Sequence, residues 1–189
     1  MTGTGEPWRF FGADMRKVIL YIAMSLDGYI ADAGGGVGWL SGQDGAETEG
    51  SYDAFVKTVD TVVMGWRTYR QIVTELSPGE WVYGGMRAYV VTHRALPPTD
   101  DAVFFGGSPC ELIEELRAGE GKDIWICGGA DLAGQLLEAD LIDRFHISVI
   151  PTLLGSGIRL FKEGIAERKL RLVRTAAYDG IVDLVYERR

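Results

Sequence analysis

Apolar residues follow two rhythms along this chain. The first is a set of short unbroken runs at 17–23 (KVILYIA), 61–64 (TVVM), 88–92 (AYVVT), 103–105 (VFF) and 124–127 (IWIC). Runs of this length predict strands buried on both faces. Between them the spacing turns helical. A short helix is predicted over 52–59 with Ser51 as its N-cap, and another over 68–76, stopped by Ser77-Pro78-Gly79. A third is predicted over 109–117, capped by Ser108 with Pro109 at its first position, and Leu132, Ala133, Leu136 and Leu137 mark a fourth.

After Ile142 the second rhythm begins. Phe145, Ile147 and Val149 alternate with Arg144, His146 and Ser148, and Leu170 and Leu172 alternate with Lys169 and Arg171. Leu184 and Tyr186 follow the turn signal Tyr178-Asp179-Gly180. These stretches read as antiparallel strands, with Asp179-Gly180 closing a tight hairpin. The expected fold is α/β: a mixed, mostly parallel central sheet, helices on both faces, and a C-terminal antiparallel meander. Residues 1–14 read as an N-terminal extension or cloning scar, docked through Trp8, Phe10 and Phe11 if ordered, and 15–189 as the domain proper.

Charge narrows the partners. Lys plus Arg is 19 against 27 Asp plus Glu, a formal net charge of −8, with no basic run. Nucleic acid and anionic membrane are disfavoured as partners. Two cysteines, Cys110 and Cys127, fit a reducing, cytoplasmic setting. Two isolated histidines, His93 and His146, make no metal site, and His146 reads as a satisfied strand residue. Metalloprotease, nucleophile-elbow and phosphate-loop signatures are missing. Pro109-Cys110 lacks the second cysteine of a zinc deaminase.

What remains is glycine at strand-to-helix junctions: Gly65-Trp66-Arg67-Thr68, Gly106-Gly107-Ser108 and Gly128-Gly129-Ala130-Asp131. Helix starts present unpaired N–H groups and the positive dipole end, and glycine admits an anion close to the backbone. In a parallel sheet such junctions share one edge, which suits a pyrophosphate. Taken singly, each glycine reads first as a tight turn; three such junctions in one small domain favour the anion site. Thr92-His93-Arg94 offers a hydroxyl, an imidazole and a guanidinium for one more phosphate, or a solvated loop charge.

The chain resembles the dihydrofolate reductase-like superfamily, above all the reductase domain of bifunctional riboflavin-biosynthesis deaminase/reductases and its stand-alone bacterial relatives. The matching stretches are 24–31 (MSLDGYIA), 62–65 (VVMG) with Thr68-Tyr69, 123–129 (DIWICGG), Leu141-Ile142-Asp143 and 151–157 (PTLLGSG), in family order. The resemblance implies a reductase using NADPH, a small heterocyclic or sugar-derived substrate, and a homodimer. It gives cofactor roles to Gly65 and Thr68, to Thr92, His93 and Arg94 at the adenosine phosphate, and to Gly128, Gly129, Ala130, Asp131 and Leu132 at the pyrophosphate and nicotinamide. It also implies a cis Gly128-Gly129 peptide.

On the substrate side, Ser25, Asp27 and Trp39 border the glycine-rich loop, and Leu154, Gly155, Ser156 and Gly157 form the opposite rim. Asp27 is the candidate to orient substrate or relay a proton, and equally an Asp-Gly turn residue. Trp39 either walls the pocket or covers core. Two positions depart from the family pattern. No acid on the first helix falls into register for a pterin, since Glu49 and Asp53 lie only nearby, which lowers true folate reduction. Trp66 stands where relatives carry a basic residue. The expectation is that Trp66 stacks on or shields the adenine while Arg67 or Arg94 takes the phosphate charge. The competing reading is a nucleotide-binding dimeric module of the same fold without turnover.

Overall fold

The computed structural model describes residues 15–44, 51–97 and 99–189. Trp8, Phe10, Phe11 and Glu49 lie outside them. An eight-stranded sheet dominates, in the spatial order β5 (Ala102–Phe105), β4 (Arg87–Val91), β3 (Val59–Gly65), β6 (Asp123–Gly128), β1 (Val18–Ser25), β7 (Arg144–Ile150), β10 (Ile181–Arg188) and β9 (Leu170–Tyr178). The pairs from β5 through to β7 are parallel. β10 runs antiparallel to both β7 and β9. The C-terminal strands are therefore not a simple meander, because the last strand of the chain inserts between β7 and β9. Their hairpin turns on Asp179 and Gly180, both with positive φ (45° and 75°), as a two-residue primed turn requires.

Alternation along each strand sends side chains to two cores. Val18, Leu20, Val63, Ile124 and Ile126 meet Leu112 and Ile113 of α3 (Pro109–Ala118) and Leu132, Leu136 and Leu137 of α4 (Ala130–Glu138). Ile19, Tyr21, Val62, Met64 and Trp125 face the other way, onto Phe55 of α1 (Tyr52–Val56) and Ile72, just beyond α2 (Trp66–Gln71). Each fully buried aliphatic side chain contributes ~1.5–3 kcal/mol. Two helices on each face make three layers, as the alternating pattern predicts.

Three local expectations are corrected. Ser51 has helical dihedrals (φ −72°, ψ −8°) and caps nothing with its side chain, because its hydroxyl is engaged elsewhere. Ser108 occupies its cap position without a side-chain bond, and its carbonyl accepts from Leu112 N. The helix expected over 68–76 starts directly after Gly65 and ends in a π-helical turn, Ile72–Leu76. A two-stranded ribbon, β2 (Tyr29–Ala31) with β8 (Ile158–Arg159), joins the segment after β1 to the segment after β7. Its strands are too short to carry a periodic signal.

Candidate functional site

Parallel pairing brings the carboxyl ends of β1, β3, β4, β5 and β6 to one edge of the sheet. Gly65 ends β3 and caps α2, while Gly128 ends β6 and Gly129 caps α4. The Gly128-Gly129 peptide is cis, as the resemblance implies. A Cβ built on Gly65 would lie 3.8 Å from Gly129 N and 3.9 Å from Gly128 O, and one on Gly129 would lie 3.5 Å from Thr68 Oγ1. The two junctions are thus in direct contact, and both helices start from one spot.

Neither cap glycine is demanded by the fold. Gly65 (φ −78°, ψ 159°) and Gly129 (φ −83°, ψ −163°) have extended backbone open to any residue. The contacts that a Cβ would make there are ordinary van der Waals distances. A side chain at either position would enter the gap between the two helix starts. The first backbone bond of α4 runs from Ala133 N to Gly129 O, 3.1 Å. The N–H groups of Ala130, Asp131 and Leu132 precede it and have no partner inside the helix. Asp131 would set a negative charge against a bound anion, but its carboxylate is 2.5 Å from Lys162 Nζ. The Lys162 bond, with the field of Arg67, holds the Asp131 carboxyl below the usual range.

Thr92 follows β4 and is buried. Its N–H donates to Phe105 O (2.9 Å), and its Oγ1 accepts from Arg94 N (3.2 Å). This turn presents His93 and Arg94 to solvent beside Gly106 and Gly107, which are exposed too. The Arg94 guanidinium lies 5.4 Å from the centre of the Trp66 ring. The indole itself is half-buried against Tyr69 and Phe104. Trp66 therefore extends the second core and carries Arg94 on its surface, a cation–π arrangement. Arg67 is exposed, and its charge adds to the lowering at Asp131.

Asp27 is tied down. Its Oδ1 accepts from Ser25 Oγ (2.6 Å) and Leu154 N (3.1 Å), and its Oδ2 from Gly155 N (2.7 Å). The Ser25 bond, backed by the two amides, lowers its pKa to about 2. Such a carboxylate holds the 154–155 turn against the end of β1 and has no proton to give at neutral pH. Gly157 packs where a Cβ would come within 2.2 Å of Ala31 O, and Ser156 is exposed. Trp39 closes its own loop, donating from Nε1 to Gly36 O (3.3 Å). That loop is in turn held to α2, Gln71 Nε2 donating to Gly35 O (2.9 Å).

Beside β6 lies a cavity of about 210 Å³ lined by Tyr21, Ile22, Tyr52, Trp125, Cys127 and Ser148. None of the residues that the sequence suggests for substrate, Ser25, Asp27, Trp39, Asp53 and 154–157, lines it; Asp53 is exposed one residue from Tyr52. Behind the cavity runs a polar stripe across four strands. Ser148 Oγ donates to Asp183 Oδ1 (2.6 Å), and Tyr178 OH donates to the same oxygen (3.3 Å). His146 Nε2 is 3.4 Å from Asp183 Oδ2 and 3.1 Å from Ser51 Oγ, which meets Tyr21 OH at 3.2 Å. The His146 ring also stacks on Tyr21, centroids 4.1 Å apart.

Asp183 is fully buried. Burial alone would raise its carboxyl, but the nearby His146, the Ser148 bond and the nearby Ser51 outweigh it and hold the pKa at about 2. Strand register builds the stripe, pairing Tyr21 with His146, Ala23 with Ser148, and Ser148 with Asp183. The sequence signal for it is one acid inside the apolar run Ile181-Val182-Asp183-Leu184-Val185, opposite the polar positions of β7. A larger apolar hollow of about 420 Å³ lies on the other face, between Ile147, Leu184 and Tyr186 and the segment 161–170.

A family model for the RibD C-terminal domain matches residues 16–183. The uncharacterized protein YwjB of Bacillus subtilis is 40% identical over 176 residues, covering 92% of this chain and 98% of that protein. A solved structure from Shewanella sp. PV-4, named for riboflavin biosynthesis, superposes with a TM-score of 0.80 at 26% identity, covering 92% of this chain and 99% of that one. A diaminohydroxyphosphoribosylaminopyrimidine deaminase/5-amino-6-(5-phosphoribosylamino)uracil reductase from Thermotoga maritima superposes at 0.69 with 16% identity, over 93% of this chain and 57% of that one. The last likeness establishes the architecture, the dihydrofolate reductase-like fold. With a model match from Arg16 to Asp183 and a relative of nearly the same length, the chain belongs to the RibD C-terminal domain family, a family of reductase domains.

Proposed function

We propose that this protein is a reductase that uses NADPH to reduce a C=N or C=O bond of a small heterocyclic or sugar-derived substrate. The observation that carries the reading is the paired cap glycines. Gly65 and Gly129 are kept open where neither backbone nor packing asks for glycine, and two helix starts converge on the space they leave. A pyrophosphate fits there, on the free N–H groups of 130–132, with Thr68 Oγ1 at its side. Lys162 neutralises Asp131, so the acid does not repel the ligand. Arg94, held on Trp66, takes the adenosine end together with Thr92 and His93.

When bound, the cofactor supplies the hydride. The chain's own contribution is alignment and exclusion of water. The end of β6 sets the nicotinamide side, and the cavity beside Tyr21, Cys127 and Ser148 receives the acceptor ring. Asp27 keeps Leu154 and Gly155 in place at the end of β1. A pyrimidine substrate is favoured over dihydrofolate, because the exposed Asp53 makes no acid in this cavity. Among the described residues no helix is long and apolar enough to cross a membrane.

The test is NADPH titration of the full chain, followed by a panel of pyrimidine, pterin and carbonyl acceptors watched through loss of nicotinamide absorbance. Binding followed by acceptor-dependent oxidation is expected. NADPH affinity without oxidation of any acceptor would leave the silent nucleotide-binding module as the reading.

A further inference from the structure

We infer that Ser148, oriented by Asp183, reads the polarity of the substrate: it accepts a hydrogen bond from an N–H of the ring that enters the cavity. The inference rests on the reductase reading for what the cavity is for, but not for its polarity.

The polarity follows from counting donors. Asp183 is fully buried and accepts from Ser148 Oγ at 2.6 Å and from Tyr178 OH at 3.3 Å. An ionised carboxylate only accepts. The nearby His146, the Ser148 bond and the nearby Ser51 hold it ionised, with a pKa of about 2. The Ser148 proton is therefore committed to Asp183, and what its oxygen offers the cavity is a lone pair. The bond to a charged acceptor also polarises the hydroxyl and makes that lone pair a better acceptor.

The other walls add few donors. Trp125 Nε1 spends its hydrogen on Tyr21 O at 2.9 Å. The Cys127 thiol is pushed up to about 11 by burial, and it sits 3.4 Å from Tyr83 OH. The phenols of Tyr21 and Tyr52 can serve either way. Ser148 is thus the fixed element of the wall. A ring presenting only carbonyl or ether oxygens meets a lone pair there and leaves a buried acceptor unpaired, whereas an amino group or ring N–H completes the chain to Asp183. Discrimination of this kind, built on a positioned polar group, is stronger than discrimination by apolar shape.

The experiment uses the full chain with NADPH present and two single-ring probes of similar size, diaminopyrimidine and dimethoxypyrimidine, titrated by calorimetry. Wild type should favour the diamino probe by about tenfold, the value of one good hydrogen bond. Ser148→Ala should bring that ratio near unity, and Ser148→Thr, which keeps the hydroxyl, should restore most of it. A general loss of structure would weaken both probes together and leave the ratio alone. Wild type that fails to discriminate, binds neither probe or prefers the dimethoxy compound overturns the inference, as does an unchanged ratio in Ser148→Ala. NADPH affinity is read in the same samples. If NADPH does not bind but the diamino probe is still selected through Ser148, the reductase reading falls and the Ser148 assignment stands.

Discussion

Replacing Asp183 with asparagine should flatten the acid dependence of stability by a calculable amount. Asp183 is fully buried, and its partners bring its carboxyl from the ordinary 3.8 to about 2. At ~1.4 kcal/mol for each tenfold change in proton affinity, that gap is about 2 kcal/mol. The sign follows from which state binds protons first. The folded value is depressed, so the contribution is complete above pH 3.8, where the carboxyl is ionised in both states. It is lost as pH falls from there toward about 2, because the unfolded chain takes up the proton earlier. Asparagine keeps the shape and never ionises. Urea unfolding of both proteins, followed by tryptophan fluorescence from pH 6 down to pH 2, gives the difference directly. Wild type should lose about 2 kcal/mol more than the variant across the acid window, while Asp27 and the surface carboxylates cancel between the two. A difference that stays constant with pH would refute the claim that the stripe stabilises the ionised form.

Three further outcomes are expected. Gly65→Ala should leave apo stability within about 1 kcal/mol, because its Cβ meets nothing closer than 3.8 Å, yet weaken NADPH about tenfold by filling the cradle; equal affinity by fluorescence titration would remove the cofactor role. Trp66→Ala should take the platform from under Arg94 and cost about 0.5–1 kcal/mol of NADPH binding, with less loss for NADH, and an unchanged NADPH-to-NADH ratio would sink it. Asp27→Ala should raise amide exchange at Leu154 and Gly155 several-fold without releasing a titrating group from the activity profile, whereas unaltered exchange would show that the clamp is not what holds the turn.

The strands and helices were readable from the chain because each is buried through a regular period. Val62, Val63 and Met64 alternate between two cores, and so do Ile124, Trp125 and Ile126. The junction glycines were readable for a related reason: each sits where one period stops and another starts. The substrate side was not. His146 and Ser148 occupy the positions that alternation assigns to solvent, yet both are buried. Ser148 is satisfied by Asp183, 35 positions further on, through a strand insertion that no local pattern announces, and His146 by Ser51. Trp66 and Asp27 stood out in the sequence, but what they do in the fold depends on partners far along the chain. Arg94 approaches Trp66 from the end of β4, and the Leu154 and Gly155 amides approach Asp27 from beyond β7.

The insertion of β10 between β7 and β9 divides labour along the sheet. The glycine junctions belong to β3, β5 and β6, whereas the acid that sets the polarity of the cavity arrives on the final hairpin. If the proposed function holds, coenzyme preference and ring preference are written in separate stretches of the gene. Mutations in the hairpin would then retune which ring is accepted and leave the glycine junctions untouched. On that reading the C-terminal hairpin is an exchangeable cassette, through which one scaffold could be handed a new substrate.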